Sequence, residues 1–134
     1  MDIKQHGLVN LLRDIRWQIS THLPIGHSYI PQDIIFKVLD GHFENREMSV
    51  KILFAELPYS VMGTRHHFDR LLKSEWIESR KSEKDARVKI ILPSSKLLKR
   101  LNLLTNNLEK TFYEHQSKYN LIQVSTDSHQ SQYR

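Results

Sequence analysis

A chain of 134 residues, 39% of them hydrophobic and 26% charged, is long enough for one domain with a modest core. Its net charge of +5 and pI near 9.5 suit an anionic partner, and nucleic acid is the commonest one for a small basic domain. The lack of cysteine excludes disulfides, thiolate catalysis, thiol redox sensing and cysteine-ligated zinc.

The hydrophobic content is somewhat low, so the chain is expected to fold and still leave an apolar face for a second subunit. The N-terminus carries no basic-then-apolar signal, and no apolar run nears the roughly 18 residues of a membrane span. The expected location is the cytoplasm or the nucleoid, with no membrane partner.

Residues 1–23 read as a helix, because Leu8, Leu11, Leu12, Ile15 and Ile19 recur at helical spacing. Pro24 and Gly26 end it. The stripe fits a dimerisation arm, or else a helix folded back on its own domain. The arm is favoured, since no second apolar partner lies near it in sequence.

A connector at residues 27–30 leads to Pro31, which suits the first turn of a helix. That helix runs to about Gly41 with Ile34, Ile35, Val38 and Leu39 inward. Residues 43–47 read as a loop, with room for one short strand residue pairing with a later hairpin. Ser49 caps a second short helix, whose Ile52, Leu53 and Leu57 point to the core. Pro58, Tyr59 and Ser60 make a tight connection.

A third helix, residues 61–74, has Val61, Phe68 and Leu72 on one side and Thr64 and Leu71 at its edge. His66, Arg70 and Lys73 fall opposite, beside Gly63, with His67 at their margin. Two strands follow, residues 76–80 and 87–92, around a polar tip. Ile77 and Ser79 alternate with Trp76, Glu78 and Arg80; Val88 and Ile90 alternate with Arg87 and Lys89.

Pro93, Ser94 and Ser95 end the hairpin and cap a last helix, residues 94–122. Leu97, Leu101, Leu104, Leu108 and Phe112 make its stripe, extended by Leu98 and Tyr119. A helix reaching Leu121 spans about 40 Å, long for a domain of this size. Its stripe, with Leu8, Leu11 and Ile15 of the first helix, is the candidate subunit interface. An antiparallel pairing of the two terminal helices within one chain would use the same residues. Residues 123–134 are polar and rich in Ser and Gln, and are expected to be disordered.

Helix, turn, helix, hairpin is the order of a winged helix-turn-helix. The expected fold is therefore mainly α with a small β-hairpin wing over residues 27–93, flanked by N- and C-terminal dimerisation helices. In that module the second helix of the pair lies in the major groove and the hairpin reaches the backbone or minor groove. Arg70 and Lys73 suit phosphate or guanine, and His66 and His67 can donate or accept. Gly63 would permit close approach, Arg65 could reach phosphate from the flank, and Ser60 heads the same helix. Lys81, Lys84 and Arg87 charge the tip, partly offset by Glu83 and Asp85. A free Arg or Lys there would lean into the minor groove, whereas an Asp85–Arg87 pair would fix the tip's shape. Singly, each is an ordinary surface residue; the grouping on one face points to duplex DNA.

Residues 33–100 resemble the multiple-antibiotic-resistance-regulator (MarR) family of winged-helix repressors. The resemblance rests on residues 68–80, similar to the family's helix end and first wing strand, and on Asp85-Ala86-Arg87, similar to its Asp-x-Arg wing tip. Residues 88–92 and the Pro-Ser turn into a long helix complete it. It implies a homodimer of terminal helices whose two wings embrace a pseudo-palindromic operator. It also implies that Arg87 reaches DNA while Asp85 steadies it, that residues 63–67 read bases, and that a small aromatic effector binds between the dimer and DNA-binding parts. The chain departs from the family pattern at Phe54, at Gly63 and at Glu75, where a glycine is usual, and in lacking a separate last helix.

No catalytic motif is present: no His-Glu-x-x-His, no phosphate-cradling glycine loop and no nucleophile elbow. Neighbouring His66 and His67 point about 100° apart on a helix and cannot easily share an ion. A non-enzyme without metal or cofactor is expected. The alternative is a winged-helix protein-docking module, or an accessory domain of replication or partition, with Phe54, Tyr59 or Trp76 as contact residues.

Overall fold

Serine punctuates the helices of this chain. In the computed structural model, which describes residues 2–119, the elements run α1 (Ile3–His22), α2 (Tyr29–Phe43), α3 (Val50–Glu56), α4 (Val61–Lys73), β1 (Ile77–Lys81), β2 (Lys89–Pro93) and α5 (Ser95–Tyr119). The hydroxyls of Ser28, Ser49, Ser60 and Ser94 accept from the amides of Ile30, Ile52, Gly63 and Leu97 at 3.0–3.2 Å. Each satisfies an amide that has no partner within its own helix, a cap worth about 1 kcal/mol. The expected end near Leu121 and the tail at residues 123–134 lie outside the described residues.

The described residues form two compact units, residues 19–104 and, together, residues 2–18 with 105–119. The core of the larger unit is built on α2, whose Ile34, Ile35 and Val38 are fully buried. Leu53 of α3, Ile77 of β1, Ile90 and Ile91 of β2, and Leu97 of α5 join them. The order helix, short helix, helix, hairpin is that of a winged helix-turn-helix, as the sequence implied.

β1 and β2 pair antiparallel, Ile77 opposite Pro93 and Lys81 opposite Lys89. The strand contact expected in the loop before α3 falls at Ser49, which bridges to Ile90, and the Ile91 amide donates to the Met48 carbonyl at 2.8 Å. β2 is thus flanked on both edges. It buries the consecutive Ile90 and Ile91 instead of alternating, while Val88 precedes the strand and is exposed. Ser79, expected inward, is exposed, because β1 beyond Ile77 is the outer edge of a flap.

Two helix faces differ from expectation. Ile52 is exposed, since α3 is only seven residues long and turns Leu53 inward. α4 is rotated: its buried side chains are Thr64, Phe68 and Leu71, whereas Val61 is 69% exposed. Thr64 tolerates burial because its hydroxyl donates to the Ser60 carbonyl at 3.0 Å. Phe68 meets Phe54 edge-on at 5.4 Å.

The α4 end has the geometry of a Schellman motif. Trp76 donates to the Leu71 carbonyl and Glu75 to that of Leu72, with Glu75 in the left-handed region at φ 63°. Beyond it, Ser94 donates to the Trp76 carbonyl and Lys96 lies over the Trp76 ring at 4.2 Å.

The smaller unit pairs the first part of α1 with the last part of α5, antiparallel and within one chain. Its hydrogen bonds join polar side chains. Asn10 Nδ2 donates to the Tyr119 hydroxyl at 3.2 Å, Asp14 Oδ2 lies 2.7 Å from His115 Nε2, and the Gln18 amide donates to the Thr111 hydroxyl. Gly7 lies under Tyr119, where a Cβ would stand 2.5 Å from Cγ of the ring. The leucine stripes are only partly covered in this unit. Leu11 is buried and Ile15 half-buried, while Leu8 is 48% exposed and Phe112 42%. In the larger unit Leu97 and Leu104 are buried in the chain's own core, so they are not open to a second subunit, and Leu101 is half-buried. Leu108, in the smaller unit, is half-buried. Among the described residues no helix is long and apolar enough to cross a membrane.

Candidate nucleic-acid interface

Local chemistry sets the pose of α4. The Ser60 cap fixes its first turn, and the Tyr59 hydroxyl donates to the Asp33 carboxylate, pinning the α3–α4 turn to α2. That bond to a carboxylate, together with burial, raises the Tyr59 pKa and keeps the donating proton in place.

The outward side of α4 carries Arg65, His66, Arg70 and Lys73, all exposed. Arg65 is not a freely reaching arm. Its guanidinium lies over Phe54 at 4.6 Å and is 5.7 Å from the centre of the Phe68 ring, with Asp69 at 3.9 Å, which holds it to the α3 side. Gly63 does not face outward as expected. A Cβ there would meet the Ser60 hydroxyl at 3.1 Å and Ile30 Cδ1 at 3.5 Å, so its lack of a side chain serves packing inside the chain. His67 is half-buried; burial, then His66 and Arg70, lower its pKa, which favours the neutral ring. His67, Arg70 and Lys73 line an open groove of about 740 Å³, closed on the far side by Pro24, Ile25 and His27.

The wing tip is a knot of short-range bonds. Arg87 donates to Asp85 three times: its amide and Nε each lie 3.1 Å from Oδ1, and Nη2 lies 3.2 Å from Oδ2. The guanidinium holds the Asp85 carboxyl below the usual carboxylate range. The Arg87 side chain is nevertheless 91% exposed, so it is aimed without being covered. Lys81 and Lys84 are exposed beside it. The buried Ser82 hydroxyl donates to Glu47 at 2.8 Å and accepts the Lys84 amide at 3.2 Å.

Sequence reasoning missed four residues here. Ser82 and Glu47 stand 35 positions apart, with no local pattern to link them. Val61 and Met62, 69% and 84% exposed, place an apolar pair at the start of α4, Met62 on its outer face and Val61 on the flank one turn before Arg65. The signal for Met62 was present: it lies one helical turn before His66. Among the described residues no cluster of three His, Cys, Asp or Glu could hold a metal ion.

No protein-family model matches the chain, and no curated protein is similar to it. Solved structures are. Transcriptional regulator PA4135 superposes with a TM-score of 0.55 at 15% identity, over 86% of this chain and 79% of that one. A mutant of MepR from S. aureus gives 0.61 at 8% identity, over 92% and 85%. YusO from Bacillus subtilis gives 0.60 at 12% identity, over 96% and 86%. The chain thus has the MarR-like winged-helix fold.

Proposed function

We propose that the chain is a sequence-specific, double-stranded DNA-binding transcriptional regulator, a MarR-like repressor acting as a homodimer in the cytoplasm or nucleoid. Helix α4, Val61–Lys73, enters the major groove, and the wing, residues 76–92, reaches the minor groove. One observation carries this reading: on a capped second helix of a winged helix-turn-helix, His66, Arg70 and Lys73 stand exposed, and the same unit carries an arginine that is both exposed and held by a carboxylate. Cations aimed in advance lose less freedom on meeting a phosphate or base edge.

Ser60, His66, His67, Arg70 and Lys73 form the helix side of the contact, with Gly63 packed behind them against Ser60 and Ile30 and Arg65 on the flank. Lys81, Lys84 and Arg87 form the wing side, steadied by Asp85. Dimerisation is supported by the smaller unit, whose polar pairing leaves Ile3, Leu8, Val9, Leu12, Phe112 and Tyr113 exposed. Two helices with that much apolar surface are expected to bury it against a second copy. A small-molecule effector, as the resemblance implies, has its candidate place in the groove beside His67 and Arg70. The transcription-regulator fold and the lack of catalytic motifs support a non-enzyme.

The test is selection of bound duplexes from a random pool, followed by mobility shift at rising salt and light scattering for subunit count. The expected result is one enriched, inverted-repeat site, bound by a dimer, with affinity falling steeply as salt rises. No enrichment, and no shift even at low salt, would overturn the reading.

A further inference from the structure

Val61 and Met62 are the observation that phosphate and guanine chemistry leaves unexplained. They open α4, are 69% and 84% exposed, and stand beside the cationic face, with Arg65 and His66 one turn on. Exposed apolar side chains scattered singly are unremarkable. These two are adjacent, sit on a turn immobilised by the Ser60 cap and the Tyr59–Asp33 bond, and occupy the end of a recognition helix that contacts base edges. In the major groove the thymine C5-methyl is the apolar group a base edge presents, and apolar side chains are its partners.

We propose that Val61 and Met62 read thymine methyl groups in the bound site, which makes them specificity residues alongside the polar contacts. This rests on the DNA-binding reading above. The two side chains leave the helix about 100° apart, so they address different thymines. Val61, β-branched and stiff at χ1 in a helix, demands a methyl at one position. Met62, unbranched and adaptable, accepts a methyl over a wider range of positions. The cationic neighbours keep the surface in register with the phosphates while this pair discriminates between bases.

The experiment replaces each thymine of the selected site by deoxyuridine, which removes the methyl and keeps the pairing. The wild type is expected to lose about three- to tenfold in affinity at one or two positions, the scale of one buried methyl. Val61→Ala and Met62→Ala should each abolish the loss at its own position and leave the other intact, with unchanged circular dichroism and salt slope. Met62→Gln, which keeps size but not apolarity, should behave like Met62→Ala, whereas Val61→Thr, which keeps one of the two methyls, should retain part of the loss. Tight binding that no deoxyuridine weakens overturns the proposal and leaves the DNA reading standing. So does a deoxyuridine loss that persists in every variant, since another group then touches the methyl. Failure to bind any duplex, with the apolar pair instead covered by a protein, overturns both.

Discussion

The Ser82 hydroxyl donates to the Glu47 carboxylate across 2.8 Å, tying the wing tip to the turn that precedes α3. Ser82 is 6% exposed, and its oxygen also receives the Lys84 amide, so one hydroxyl organises the start of the tip. Ser82→Ala should cost about 1–2 kcal/mol, speed amide exchange over residues 82–88 and weaken duplex binding. Glu47→Gln keeps an acceptor and should restore most of what Glu47→Ala loses. Equal thermal midpoints for all three variants and the wild type would remove this tether from the account.

Arg87 is the exposed wing cation that a carboxylate holds in place. Arg87→Ala should weaken binding across all sequences and lower the salt slope by about one. Arg87→Lys should keep the slope yet lose affinity, because an ammonium cannot reproduce the Nε and Nη2 fork on Asp85. Mobility shifts at three salt concentrations distinguish the two.

Glu75 occupies the left-handed position that ends α4, at φ 63°. A side chain there costs about 1–2 kcal/mol, partly offset by the greater chain entropy that glycine would bring. Glu75→Gly is therefore expected to stabilise the fold by about 0.5–1 kcal/mol in urea titration. A destabilised variant would mean that Glu75 makes a compensating contact.

Gly7 has no room for a methyl: its Cβ would lie 2.5 Å from Cγ of Tyr119. Gly7→Ala should displace that ring, break the Asn10–Tyr119 bond and destabilise by about 1–3 kcal/mol. Tyr119→Ala should then cost less in the Gly7→Ala background than alone, and the double-mutant cycle measures this coupling. Additive costs would show that the two residues do not meet.

His67 has a lowered pKa relative to 6.5, from burial and then from His66 and Arg70. A histidine whose folded pKa lies below its unfolded one favours the neutral ring in the fold. Its contribution is complete above pH 6.5 and is lost as pH falls through the lowered folded value. The wild type should lose more stability than His67→Gln between pH 7.5 and 5.5. Parallel loss in both proteins would assign the acid sensitivity to other groups.

The winged helix-turn-helix was legible because its signals are local. Ser49 and Ser94 each act on an amide three residues away, Asp85 and Arg87 are two residues apart, and the apolar spacing of α2 marks its own buried face. Such interactions depend on near neighbours in the chain, so the order of residues determined them. The rotation of α4 was decided otherwise. Thr64 could be turned inward only because Ser60 satisfies its hydroxyl, and Val61 was left outside once Phe68 had met Phe54. The terminal helices are joined by hydrogen bonds of Asn10, Asp14, Gln18, Thr111, His115 and Tyr119, while Leu8 and Phe112 of the periodic stripes stay exposed. A helical repeat says which residues share a face, but not which face meets which. That choice depends on surfaces brought together from a hundred residues apart, and only the tertiary structure contains it.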